Sequence, residues 1–145
     1  MVQSEMMPNP GIAARWLPTV VMADDDEVAM VVLRAQLSRR FECVGLASDA
    51  SRAVSLVAAR QPDLAILDVN MPCGGAPAAT PRIRSVSPDT AIVILSVDET
   101  HEQVVRLMAL GATAYLRKGI DGPALMAKLL ASIDAHRSLN AAPSV

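Results

Sequence analysis

Cysteine is nearly absent from this chain of 145 residues; there are two, too few for the bridged framework of a disulfide scaffold. Positive charge has no excess. Thirteen Lys and Arg stand against 15 Asp and Glu, a formal net charge of -2, which argues against a nucleic-acid-binding surface. Mean hydropathy is +0.33, yet no apolar run approaches the ~18 residues of a membrane helix. The longest, over 107–116, contains Gly111 and Thr113. The N-terminal residues lack a basic region leading into an apolar block, so no secretory signal is expected and the cytoplasm is the expected location. Internal repeats are missing, and the one biased patch is rich in Ala, Pro and Gly over 74–81. Apolar residues, at 52%, are plentiful enough to exclude disorder. A chain of about 150 residues buries roughly 70% of its unfolded surface, so one domain is expected.

Residues 1–18 read as a tail, interrupted by Pro8, Pro10, Gly11 and Pro18, with Trp16 as a local anchor. Beyond it, short apolar runs alternate with helical patterns. Strands are expected over 19–23, 41–47, 64–68, 91–96 and 114–116. Helices are expected over 27–40 (apolar Val28, Val32, Leu33 and Leu37 at helical spacing), 51–60 (Val54, Leu56, Val57 inward), 104–110 closed by Gly111, and 123–137 (Leu125, Leu129, Leu130, Ile133 inward). Residues 139–145 read as a second frayed end. The strand runs do not alternate in polarity, which implies a parallel sheet with helices on both faces. Ligands bind such sheets at the carboxyl ends of the strands.

Chemistry gathers at those ends. The first strand stops at Asp24-Asp25-Asp26-Glu27, the third at Asp68 followed by Asn70, and the fourth at Ser96; the fifth is followed by Lys118. Clustered carboxylates repel one another and normally hold a cation; all-oxygen ligation suits a hard ion such as Mg²⁺. A lysine and a hydroxyl opposite suit a phosphoryl group. Asp68 is then either a plain ligand or a nucleophile that takes the phosphoryl as an acyl phosphate.

The stretches VVMADDDE (20–27), PDLAILDVNMP (62–72), AIVILS (91–96) and GATAYLRK (111–118) together resemble the receiver domains of two-component response regulators. The resemblance covers roughly residues 19–137, and a receiver domain is expected over 19–138. It implies a flavodoxin-like α/β fold, (βα)5 and doubly wound, with a five-stranded parallel sheet in the order 2-1-3-4-5. It also implies Mg²⁺-dependent phosphorylation of Asp68 by a sensor histidine kinase or phosphotransfer protein. Asp25 and Asp68 would ligate Mg²⁺ directly, Asp24 through water, and Asn70 through its backbone carbonyl. Lys118 would pair with the phosphoryl oxygens, Ser96 would swing toward them, and Tyr115 would follow inward. The face formed by the fourth helix, fifth strand and fifth helix would then engage a downstream protein target, and it also suits homodimerisation. Such a chain is a signalling phosphoacceptor rather than an enzyme, taking phosphoryl from small donors and losing it by its own hydrolysis. With no output domain in the sequence, a stand-alone regulator without direct nucleic-acid or membrane contact is expected.

Some residues depart from the pattern. Val97 stands where receivers usually have a small residue, and slower phosphorylation is expected. Asn70 and Asp98 occupy positions resembling tuners of acyl-phosphate hydrolysis, and imply a short phosphoryl lifetime. Pro81 falls where the third helix is expected, so that helix either starts there or is kinked. Asp26 is expected to cap the first helix, Cys43 to pack as a small hydrophobe, and Cys73 to sit in a loop without a redox role. His101 and His136 are placed on outer helical positions. Two rival functions remain. Asp24-x-Asp26-x-Val28 resembles haloacid-dehalogenase phosphatases, but no second acidic pair follows Lys118, since Asp121 and Asp134 are isolated. A phosphorylation-independent scaffold would have no electrostatic reason to gather the acids.

Overall fold

The computed structural model describes residues 17–97 and 100–141. The expectations for Trp16, Asp98 and residues 142–145 lie outside them. Five strands, β1 (Thr19–Ala23), β2 (Glu42–Ala47), β3 (Leu64–Asp68), β4 (Ala91–Ser96) and β5 (Ala114–Arg117), form one parallel sheet in the order β2-β1-β3-β4-β5. Five helices connect and follow them: α1 (Glu27–Leu37), α2 (Ala50–Arg60), α3 (Gly75–Val86), α4 (His101–Ala109) and α5 (Gly122–Ala141). This is the flavodoxin-like arrangement expected from the sequence.

Alternate residues of each central strand feed two separate cores. Leu64 and Ile66 of β3 join Met30 and Leu37 of α1 and Leu125, Leu129 and Ile133 of α5. Ala65 and Leu67 face the other way, onto Val54 and Val57 of α2, Ala79 and Ile83 of α3, and Leu107 of α4. With both faces covered, no strand position of β3 or β4 before its last residue is left for a polar side chain. Burying each Leu or Ile contributes about 1.5–3 kcal/mol. The sheet therefore holds its polar groups only at its ends.

Several boundaries follow from local chemistry. Asp26 caps α1, its carboxylate accepting from the amides of Val28 and Ala29. That helix ends at Leu37, earlier than the periodicity suggests. Gly111 (φ +118) takes the left-handed position after α4: its N–H donates to Met108 O and that of Ala112 to Leu107 O. The third helix neither begins at Pro81 nor stops there; Pro81 lies inside α3. The last helix continues to Ala141, through positions expected to fray. His136 also departs from expectation. It is buried rather than outward, with Nε2 2.8 Å from Pro88 O and 3.1 Å from Arg84 Nη1. His101 is exposed, as expected.

Candidate functional site

The sheet order reverses between β1 and β3, and the crevice at that switch point is where the strand-end acids meet. Asp24 follows β1 directly. It is only 9% exposed and is fixed from two sides: Oδ1 accepts from the Asp26 amide at 2.9 Å, and Oδ2 from Lys118 Nζ at 2.8 Å. Asp68 ends β3, and its Oδ1 lies 3.0 Å from the same ammonium. Asp25, exposed at the rim, completes the group. One oxygen from each of Asp24, Asp25 and Asp68 lies within 4.8 Å of the others.

Lys118 is held by the backbone as well as by its charge, since its N–H donates to Ser96 O at 2.9 Å. The ends of β4 and β5 are thereby tied at the site. Burial raises the Asp68 carboxyl above its ordinary value of 3.8, and the negative charges of Asp24 and Asp25 add to the rise; Lys118 only partly offsets them. For Lys118, burial works against the charged form, but the hydrogen bonds and charges of Asp24 and Asp68 outweigh it and raise the ammonium's pKa.

Of the residues singled out in the sequence, Asp24, Asp25, Asp68 and Lys118 come together. Ser96 is buried at the end of β4. Tyr115 lies half-buried on β5, opposite Ile94 of β4, packed against the core beneath α2, α3 and α4. Val97 is 79% exposed. Asn70 is exposed in the turn after β3, and Cys73 is exposed at φ +68. Cys43 is half-buried against the core beneath α1 and α5.

Asn70 and Asp25 also line a polar cavity of about 470 Å³ between the turn after β3 and α4. Its far wall carries Gln103 and Arg106, which the sequence reading passed over. Their spacing of three on α4 puts them on one helix face. That spacing was visible; the cavity it faces was not, because it exists only once α4 packs beside the turn.

The family model of the response regulator receiver domain matches residues 20–130. Among curated proteins, the chain is 34% identical over 103 residues to the DNA-binding transcriptional regulator NtrC of Rhizobium meliloti, covering 71% of this chain and 21% of that protein. It is 34% identical over 127 residues to the response regulator MprA of Mycobacterium leprae, covering 87% of this chain and 55% of that protein. The chain thus spans between about a fifth and about half of these relatives' length. Among solved structures, the signal receiver domain of the response regulator NarL from Mycobacterium tuberculosis superposes with a TM-score of 0.78. It is 25% identical and covers 81% of this chain and 97% of that one. A CheY-like receiver domain protein from Methanospirillum hungatei, 19% identical, has a TM-score of 0.77, covers 84% of this chain and 98% of its own, and shares the fold.

Proposed function

Because the chain belongs to the response regulator receiver family of two-component systems, we propose that it accepts a phosphoryl group on Asp68 from a histidine kinase or phosphotransfer protein. The observation that carries this reading is one ammonium, Lys118, bonded to both Asp24 and Asp68 while Asp25 shares their oxygen cluster. Three carboxylate oxygens so close form a hard donor set that fits Mg²⁺ better than a softer ion. Asp24, Asp25, Asp68 and the backbone carbonyl of Asn70 would hold it. Once bound, Mg²⁺ neutralises charge on phosphoryl oxygens.

The chain's own groups do the rest. The Asp68 carboxylate attacks the phosphorus of the donor's phosphohistidine; the O–P bond forms as the P–N bond breaks, and the electron pair leaves on the donor's imidazole nitrogen, the ring taking up a proton from solvent. Lys118 stays beside the oxygens that become part of the acyl phosphate. The amide of Asp26 keeps Asp24 in place. Ser96 then turns toward the new phosphoryl, and Tyr115 follows on the adjoining strand. Because the Lys118 amide donates to Ser96 O, a shift at Ser96 reaches β5 directly. The added charge favours one of two packings of the α4-β5-α5 face, through which a downstream protein is engaged in the cytoplasm. The receiver unit spans 19–138.

The phosphatase reading is disfavoured by the geometry. Asp26, its general acid, has one carboxylate oxygen committed to the α1 cap, and Asp121 caps the start of α5 by accepting from the Ala124 amide. The test is intact mass after incubation with acetyl phosphate. Wild type with Mg²⁺ should gain one phosphoryl group, and wild type with EDTA or the Asp68→Asn variant should gain none. An equal gain in Asp68→Asn, or no gain in wild type and Val97→Ala alike, would overturn the proposal.

A further inference from the structure

Arg106 has no evident structural task. It is exposed on α4, outside both cores, and its guanidinium makes no hydrogen bond or ion pair among the described residues. Arg84, by contrast, spends its guanidinium on the carbonyls of Pro88, Thr90 and Gly111. Arg106 and Gln103 instead line the 470 Å³ cavity whose opposite wall is Asp25 and Asn70, the neighbours of Asp68. The rest of the lining is Val69, the turn over Met71, Pro72, Gly74 and Gly75, and Pro77. Val69 and Asn70 directly follow Asp68 in the chain, and Asp25 shares its oxygen cluster, so the lining begins beside the acceptor.

We propose, resting on the phosphoacceptor reading above, that Arg106 and Gln103 form a subsite for the carboxylate leaving group of small acyl phosphates, so that this chain selects donors by leaving-group charge. In the reaction the Asp68 oxygen forms a bond to phosphorus and the acyl oxygen–phosphorus bond breaks. The electron pair of the broken bond stays on the departing carboxylate. No proton or further reactant is needed. Negative charge on that carboxylate grows toward the transition state, where a planar guanidinium binds it through paired N–H donors. The Gln103 amide donates a third. A donor that releases an amine gains nothing from Arg106, because its leaving group carries no negative charge.

The experiment compares second-order rates of phosphorylation by acetyl phosphate and by phosphoramidate, with Mg²⁺, in wild type, Arg106→Ala, Arg106→Lys and Arg106→Glu. Arg106→Ala should lower the acetyl phosphate rate about tenfold and the phosphoramidate rate less than about twofold. Arg106→Lys should fall between wild type and Arg106→Ala, because it keeps the charge and loses the fork. Arg106→Glu should fall furthest with acetyl phosphate. An unchanged ratio of the two rates across the series overturns the subsite and leaves Asp68 as acceptor intact. If neither donor phosphorylates wild type or the Val97→Ala variant, the acceptor reading fails and the subsite with it.

Discussion

At the scale of single residues, Asp68 is costly in the cation-free protein. Burial and two neighbouring carboxylates raise its pKa, so the folded chain holds the Asp68 proton more tightly than the unfolded chain does. The sign follows: the folded state suffers no penalty below the ordinary carboxyl value of 3.8, loses stability as pH rises from there through the raised value, and stays penalised above it. Asp68→Asn, which cannot ionise, should therefore melt at a higher temperature than wild type at pH 7 in EDTA. The gap should close as pH falls toward 3.8, measured as the difference between the two melting curves so that other titrations cancel. A gap that is constant with pH would mean that packing, not charge, separates them. Lys118 works in the opposite sense, drawing Asp24 and Asp68 together.

At the scale of elements, α3 holds the clearest departure from what the chain suggests. Three successive residues, Cys73, Gly74 and Gly75, take positive φ and turn the chain back until the Ala76 amide reaches Val69 O. A Cβ on Gly75 would stand 2.0 Å from that carbonyl, so only glycine fits. The turn starts the helix well before Pro81, whose missing N–H then falls opposite the Pro77 carbonyl. Pro81→Ala should restore that bond and stabilise the protein by roughly 1–3 kcal/mol in a urea titration. An unchanged midpoint would show that the first turns of α3 tolerate the ring at no cost. The three central strands were legible because burial on both faces leaves uniformly apolar runs, and the start of α1 and the close of α4 because Asp26 and Gly111 carry their own signals. The α3 start was not, because a proline inside a helix and a proline opening one look alike until the preceding turn is known. His136 was misplaced for a different reason. It continues the inward spacing of Leu125, Leu129 and Ile133, but its polarity suggested the outside. The four grouped site residues were legible because each stands at a strand end; Arg106 was not, because nothing in a single helix shows the turn it faces.

At the scale of the whole molecule, polar stitching helps to close the end of the sheet opposite the site. Arg84 ties α3 to the segment before β4, through Pro88 and Thr90, and to the turn after α4, through Gly111. His136 and Asn140 of α5 reach the same Pro88 carbonyl. Arg84→Ala leaves these carbonyls short of donors and should cost about 2–4 kcal/mol in chemical denaturation. Hydrogen exchange should quicken first near 87–90 and 111–113, and uniform loss of protection would count against a local clasp. The site at the other end has a consequence for the molecule's charge. Three carboxylates against one ammonium leave two negative charges there, which is the whole formal charge of the protein. The remaining twelve acidic and twelve basic residues cancel, so the chain is electrically a neutral body with one dianionic mouth. A single divalent ion held there would bring the formal charge of the entire molecule to zero, and under the proposed function a phosphoryl group gained at Asp68 would move it off that point and its loss would restore it.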